Sequence, residues 1–130
     1  DGDLDVLVRS GETYQLRWYR GDGHGAFGPG TLIGVDLPFG CAQYAVADLD
    51  ADGRLDIAIP KGEQILRLTQ LASGNFAQYV SEALPGVFLR ALLARDVDGD
   101  GRMELLAAAN TNSNSLILLL AAPLHATGFE

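Results

Sequence analysis

Acidic side chains recur at alternate positions in one stretch of the chain, residues 44 to 60, YAVADLDADGRLDIAIP. With Asp48 as loop position 1, carboxylates fall at positions 1, 3, 5 and 9, and Gly53 occupies position 6. Such carboxylates can converge on one hard cation only if the chain turns sharply, and glycine permits the turn without a Cβ clash. The spacing therefore predicts a calcium loop. Its predicted ligands are the side chains of Asp48, Asp50, Asp52 and Asp56 and the backbone carbonyl of Arg54.

The same pattern recurs at residues 96 to 104, DVDGDGRME. Glu104 replaces aspartate at position 9, so its longer side chain must fold back towards the ion or act through a water. The predicted ligands of this second loop are Asp96, Asp98, Asp100 and Glu104, with the backbone carbonyl of Arg102. A partial copy at the N-terminus offers only Asp1, Asp3 and Asp5. Because it lacks positions 1 and 3, we expect it to bind calcium weakly or not at all.

An EF-hand is the obvious rival for the loop at residues 48 to 56. It shares positions 1 to 6 but requires a bidentate glutamate at position 12, which here is Ile59. Helices should also flank an EF-hand loop, whereas both flanks here alternate like strands. The pattern therefore predicts a β-hairpin calcium loop. A turn whose acids only cap and solvate it is the simpler alternative, and the recurrence of the whole pattern disfavours it.

Composition narrows the classes of function. The 130 residues carry a formal net charge of −8, and the two loops supply eight of the seventeen acidic side chains. Two bound Ca²⁺ ions would bring that charge to about −4. One lysine and eight arginines are scattered along the chain, so we predict no nucleic-acid binding.

The longest apolar run, residues 116 to 124, is too short to span a bilayer. Cys41 has no partner for an intrachain disulfide and is predicted to be a small buried side chain.

Internal repeats organise the chain. Residues 1 to 11 align with residues 52 to 62 and 100 to 110, at offsets of 51 and 48. A second landmark moves in step, because Phe27, Phe76 and Phe129 each follow a glycine turn at offsets of 49 and 53. Two landmarks with one period predict three repeats, with approximate bounds 1–40 (partial), 41–87 and 88–130 (partial).

Alternation within each repeat predicts four β-strands. Ten are expected in all: three in the first repeat, four in the second and three in the third. Only residues 87 to 96, VFLRALLARD, also show helical spacing of leucines. Their alignment with the start of the second repeat favours a strand.

The loops DLDADGRLD and DVDGDGRME, with the turns GDGHGAFGPG and SGNF, resemble the FG-GAP or VCBS family of propeller blades. That family occurs in integrin α-subunit heads and in many secreted bacterial proteins. The resemblance implies an all-β fold of four-stranded antiparallel blades, with calcium in the hairpin between the first two strands of each blade. About two and a half blades are present here, whereas propellers close with four to eight. We therefore expect an excerpt of a longer propeller, in preference to a unit that assembles with further copies of itself.

The favoured function is a calcium-dependent scaffold or recognition and adhesion module of a secreted or cell-surface protein. Its expected partners are calcium ions, the remaining blades or further copies, and a protein or carbohydrate ligand. The alternative is a segment of a propeller enzyme, of the polysaccharide lyase or phospholipase type, or of a bacterial toxin shell. No nucleophile elbow, HExxH, CxxC or phosphate loop occurs, so no catalytic residue is predicted and catalysis is disfavoured.

Two smaller motifs have competing interpretations. Residues 20 to 22 spell RGD, which could invite integrin binding, but a glycine-rich turn of the repeat explains the tripeptide more simply. Trp18 could be a platform for stacking sugars, yet packing between blades is favoured.

Overall fold

The computed structural model describes residues 1–34, 37, 43–81 and 83–120, with the backbone alone at 79 and 116–120. These residues contain ten β-strands and no helix. The strands are β1 (Val6–Arg9), β2 (Leu16–Tyr19), β3 (Thr31–Gly34), β4 (Ala45–Ala47), β5 (Asp56–Lys61), β6 (Gln64–Gln70), β7 (Phe76–Val80), β8 (Phe88–Arg95), β9 (Glu104–Asn110) and β10 (Ser115–Leu120). The chain divides into two compact units, Asp1–Phe39 and Gly40–Glu130.

The first unit contains one antiparallel sheet of order β1-β2-β3. Its central strand β2 begins at the fully buried Leu16, and the pairing of β2 with β3 shifts register between Leu16 and Arg17. On the other side, Leu7 of β1 lies opposite Trp18. This register brings Trp18 close to the acidic start of the chain.

The second unit contains two antiparallel sheets, one of order β4-β5-β6-β7 and one of order β10-β9-β8. Each is a meander in which neighbouring strands are joined by hairpins. The central strand β5 is buried at all positions except its last, so its sequence is largely apolar and does not alternate strictly. Burial on both faces holds β5 firmly, and its first residue is Asp56 of the predicted calcium loop.

The two sheets of the second unit share one hydrophobic core. Contacts join β8 to both β4 and β5. Alanines occupy many of the buried positions, and such small side chains let the two sheets approach closely. The cluster comprises Ala45, Ala47, Leu49, Ala58 and Ile65 of the middle sheet and its loop, with Leu89, Leu92, Ala94, Leu105, Ala107 and Ala109 of the third.

The glycine and phenylalanine landmark corresponds to a turn of the same geometry in both units. In the first unit the backbone N–H of Asp22 donates to the carbonyl of Ala26 at 3.1 Å, and in the second Leu71 donates to Asn75 at 2.7 Å. Within each turn a glycine has positive φ, 95° at Gly25 and 86° at Gly74. Only glycine adopts such angles without strain, so the turn itself explains the landmark.

The all-β prediction is confirmed, and the described sheets contain three, four and three strands in chain order, as the repeats predicted. The ambiguous segment at residues 87 to 96 is a strand, β8. Cys41 and the third landmark at residues 128 and 129 lie outside the described residues. The repeat bounds 1–40, 41–87 and 88–130 remain predictions.

Candidate metal site

Each acidic loop joins the first two strands of a sheet, β4 to β5 and β8 to β9. At loop position 1 a carboxylate accepts the backbone N–H of the glycine at position 6. Asp48 Oδ2 accepts from Gly53 at 2.8 Å, and Asp96 Oδ2 accepts from Gly101 at 2.9 Å. The two glycines have φ of 86° and 88°. The same bond therefore closes both turns.

The later positions of the two loops also agree. The carboxylate at position 3 accepts the N–H of position 5, and the carboxylate at position 5 accepts the N–H of position 7. The first bond joins Asp50 to Asp52 at 3.3 Å and Asp98 to Asp100 at 3.0 Å, and the second joins Asp52 to Arg54 and Asp100 to Arg102, both at 2.8 Å. Asp1 accepts from Asp3 in the same way at 3.0 Å, so the partial copy keeps this last turn.

Three carboxylates converge in each loop. One oxygen from each member of a group lies within 4.8 Å of the others. Opposed oxygens around Ca²⁺ at 2.3–2.6 Å are themselves about 5 Å apart. An all-carboxylate group of this size fits a hard cation. The groups are Asp48, Asp50 and Asp56 in the middle repeat, and Asp96, Asp98 and Glu104 in the third.

The predicted ligands at position 5 lie outside these groups. Asp52 forms an ion pair with the side chain of Arg54, which also donates from Nε to the carbonyl of Gln70 at 3.0 Å. Asp52 and Asp100 are both exposed. The carboxylates at positions 1, 3 and 9 are therefore brought together, and those at position 5 brace the turn.

The carboxylate at position 9 is a buried structural element as well as a candidate ligand. Asp56 is 0% exposed. Its Oδ2 accepts from Arg67 Nη2 at 2.8 Å and from the backbone N–H of Leu49 at 3.3 Å, and its Oδ1 accepts from Gln70 N–H at 3.0 Å. These bonds connect the loop to β6, two strands away from β4.

Glu104 occupies the same place in the third repeat and is 9% exposed. Its Oε2 accepts the backbone N–H of Val97 at 2.8 Å, the counterpart of the bond from Leu49 to Asp56. The longer side chain therefore reaches the carboxylate group and the loop backbone together.

The first repeat shows the same arrangement at Asp5. Oδ2 of Asp5 accepts from Trp18 Nε1 at 2.8 Å, and Oδ1 accepts from the N–H of Gly21 at 2.9 Å. Sequence reasoning missed these bonds and those of Arg67, because both donors lie on a neighbouring strand. The signal that could have found them is the hairpin register, which places both donors opposite the second residue after the acid.

Burial and charge act unequally on the middle loop. Desolvation, followed by repulsion from Asp56, raises the pKa of the Asp50 carboxyl above its usual range. The backbone N–H of Arg54 lowers the pKa of Asp52. Ionised Asp50 is therefore costly in the folded protein, and a positive charge beside it would offset that cost.

The two smaller motifs have structural roles. Asp22 of the RGD tripeptide accepts N–H groups from His24 at 2.8 Å and Ala26 at 3.0 Å, which lowers its pKa. A Cβ on Gly21 would clash with the carbonyl of Leu4. The Arg20 guanidinium lies 4.5 Å from the centroid of the Trp18 ring. Asp22 thus stabilises the turn, the close approach of Leu4 favours glycine at residue 21, and Arg20 lies over one face of the indole.

Position 4 of the middle loop (residues 48 to 56) is Ala51, whereas position 4 of the third loop (residues 96 to 104, in the third repeat) is Gly99. Ala51 has φ of 59° and Gly99 has φ of 80°. A left-handed alanine is strained by contact between Cβ and its own backbone. We expect Ala51→Gly to raise the free energy of unfolding by about 0.5–1 kcal/mol, measured by urea denaturation in EGTA. Gly99→Ala should lower it by a similar amount, and a stabilising Gly99→Ala would contradict this explanation.

The fold and the loops define a class: an all-β repeat protein whose hairpins carry clustered carboxylates. Residues 1–59 match the family model of the FG-GAP-like repeat, so this part of the chain carries an FG-GAP-like repeat. The match ends within β5, and the loop after β8 repeats the bond from position 6 to position 1 of the matched loop. No curated protein and no solved structure matches significantly. Among the described residues, no helix is long and apolar enough to cross a membrane.

Proposed function

We propose that the chain is a calcium-binding segment of an FG-GAP propeller that serves as a scaffold or recognition module of a secreted or surface protein. The observation that carries the proposal is the pair of three-carboxylate groups, each with oxygens within 4.8 Å, in equivalent hairpins. A single acidic turn would be unremarkable on a protein surface. Two that share the bonds from position 6 to 1, from position 5 to 3 and from position 7 to 5 indicate a common requirement.

Within this proposal, Ca²⁺ supplies positive charge that offsets the repulsion among the carboxylates. Asp48 and Asp50 belong to the loop after β4, and Asp56 begins β5. Their convergence ties the first two strands of the sheet together. Asp96, Asp98 and Glu104 connect β8 to β9 in the same way. The proposed role of the metal is therefore structural, and the residues that hold it also shape the loop.

Location and partners follow from the family and the chemistry of the loops. FG-GAP-like repeats are typical of extracellular and surface proteins. Extracellular calcium-binding modules commonly have dissociation constants of about 10⁻⁴–10⁻³ M, which suits partly exposed carboxylates such as these. The proposed partners are calcium ions, further blades or copies, and a protein or carbohydrate ligand.

Removing one carboxylate from each group should abolish most calcium binding. We expect Asp50→Ala combined with Asp98→Ala to eliminate the stoichiometric heat of Ca²⁺ binding in isothermal titration calorimetry, because each loop loses a converging oxygen. Glu12→Gln with Asp22→Asn is the matched control, since it removes two negative charges outside the loops. Undiminished binding by the loop variant would place the ions elsewhere.

A further inference from the structure

Arg67 is a buried cation within the middle carboxylate group. It is 2% exposed. Its Nη2 lies 2.8 Å from Asp56 Oδ2 and 3.5 Å from Asp50 Oδ2. Both acids belong to the group that would hold the metal. The protein therefore already supplies a positive charge at this loop.

The strand register shows that this residue is particular to the middle repeat. Arg67 lies opposite Ala58, the second residue after Asp56. The corresponding backbone position is Trp18 in the first repeat, opposite Leu7, and Leu119 in the third, opposite Leu106. The three repeats thus place a neutral donor, a cation and an aliphatic residue type at one register position.

In the first repeat, the side-chain hydrogen bond to the acid at loop position 9 comes from a donor without charge. Trp18 and Gly21 donate to Asp5 at 2.8 and 2.9 Å. Arg67 and Gln70 donate to Asp56 at 2.8 and 3.0 Å. A neutral indole thus makes the same contact as the guanidinium, so the hairpin does not require a charge there. The positive charge is an addition of the middle repeat.

We infer that Arg67 is a built-in counter-ion of the middle loop and that it sets the order of calcium affinity, with the third loop binding more tightly. This order rests on the proposed calcium function. A cation entering the middle group must approach a buried guanidinium and compete with it for Asp56 and Asp50. Both loops carry four acids, but the third has a leucine at the register position of the arginine.

Calcium titrations of full-chain variants that each keep one intact loop test the order of affinity. Asp96→Asn with Asp98→Asn leaves only the middle loop, and Asp48→Asn with Asp50→Asn leaves only the third. We expect the third loop to have a Kd at least about tenfold lower, because a like charge within a few ångströms opposes the cation. Equal affinities, or a tighter middle loop, would overturn the inference. This comparison leaves Arg67 unchanged and so needs no variant of that residue to fold.

Arg67→Gln then tests the cause. Glutamine keeps an N–H donor and removes the charge, so the Kd of the middle loop should fall about tenfold, while that of the third loop stays unchanged. Arg67→Lys, which keeps the charge, should leave the middle loop weak. An unchanged middle-loop Kd in Arg67→Gln would overturn the inference.

Melting in EGTA tests the counter-ion independently of calcium. Arg67→Gln should lower Tm, and adding Asp50→Asn should recover part of that loss, because it removes the repulsion that Arg67 offsets. Additive effects of the two substitutions would overturn the counter-ion role. If neither loop binds Ca²⁺ in any variant, the proposed calcium function and the affinity order both fail, while this EGTA comparison still decides whether Arg67 is a counter-ion.

Discussion

Asp56→Ala is expected to lower the free energy of unfolding by about 3–5 kcal/mol, even in EGTA, because a buried guanidinium loses its nearer carboxylate partner. Asp56 is 0% exposed and Arg67 2% exposed. The substitution also removes the acceptor for the backbone N–H groups of Leu49 and Gln70. Urea denaturation monitored by circular dichroism measures the loss. The effect is large because the guanidinium left behind is buried.

The matched control is Asp98→Ala, which removes an exposed carboxylate from the other loop. It should change the free energy of unfolding in EGTA by no more than about 0.5 kcal/mol. Asp56→Ala combined with Arg67→Met should be less destabilising than Asp56→Ala alone, since no buried charge remains. If Asp56→Ala lowered the free energy of unfolding by less than about 1 kcal/mol, the buried ion pair would not be a main source of stability.

Removal of calcium is expected to lower Tm by about 10 °C in scanning calorimetry. A ligand that binds only the folded state, at a free concentration of 100 times Kd, contributes about 2.7 kcal/mol for one site. Each kcal/mol corresponds to roughly 3–5 °C for a domain of this size. The carboxylate groups should be responsible, because they converge only when the hairpins are folded.

The variant Asp50→Ala with Asp98→Ala should melt at the same temperature in CaCl₂ and in EGTA. Mg²⁺ should protect the unmodified chain less than Ca²⁺, because it demands near-ideal octahedral geometry and is reluctant to lose water. Identical melting of the unmodified chain with and without calcium would contradict the assignment of the loops as metal sites.

The strands were predictable because their causes are local. Alternation and glycine turns define β6 and β7, and the glycine turn at residue 74 separates them. Residues 87 to 96 were ambiguous from leucine spacing, and the repeat resolved them as β8. Antiparallel order then follows, since short loops can join only neighbouring antiparallel strands. The acidic loops likewise fell at the hairpins where the repeat placed them.

Which charges face those loops could not be predicted in the same way. Arg67 lies eleven residues from Asp56, and Trp18 lies thirteen from Asp5. Their contacts depend on the strand register, because a shift of one residue would turn every side chain of the strand to the opposite face of the sheet. Side chains as different as indole and guanidinium serve one position, so no residue type marks it.

The sequence by itself determined the acidic loop pattern and its recurrence, because loop positions 1, 3, 5, 6 and 9 are read directly along the chain. Only the tertiary structure decided that the carboxylate at position 9 is also a buried structural element. It also decided that, among the described hairpins, a guanidinium lies against this carboxylate in the middle repeat alone. The physical reason is that hydrogen bonding between strands joins residues far apart in sequence. The loop at residues 48 to 56 has the more complete aspartate set, but the loop at residues 96 to 104 has the less compensated charge.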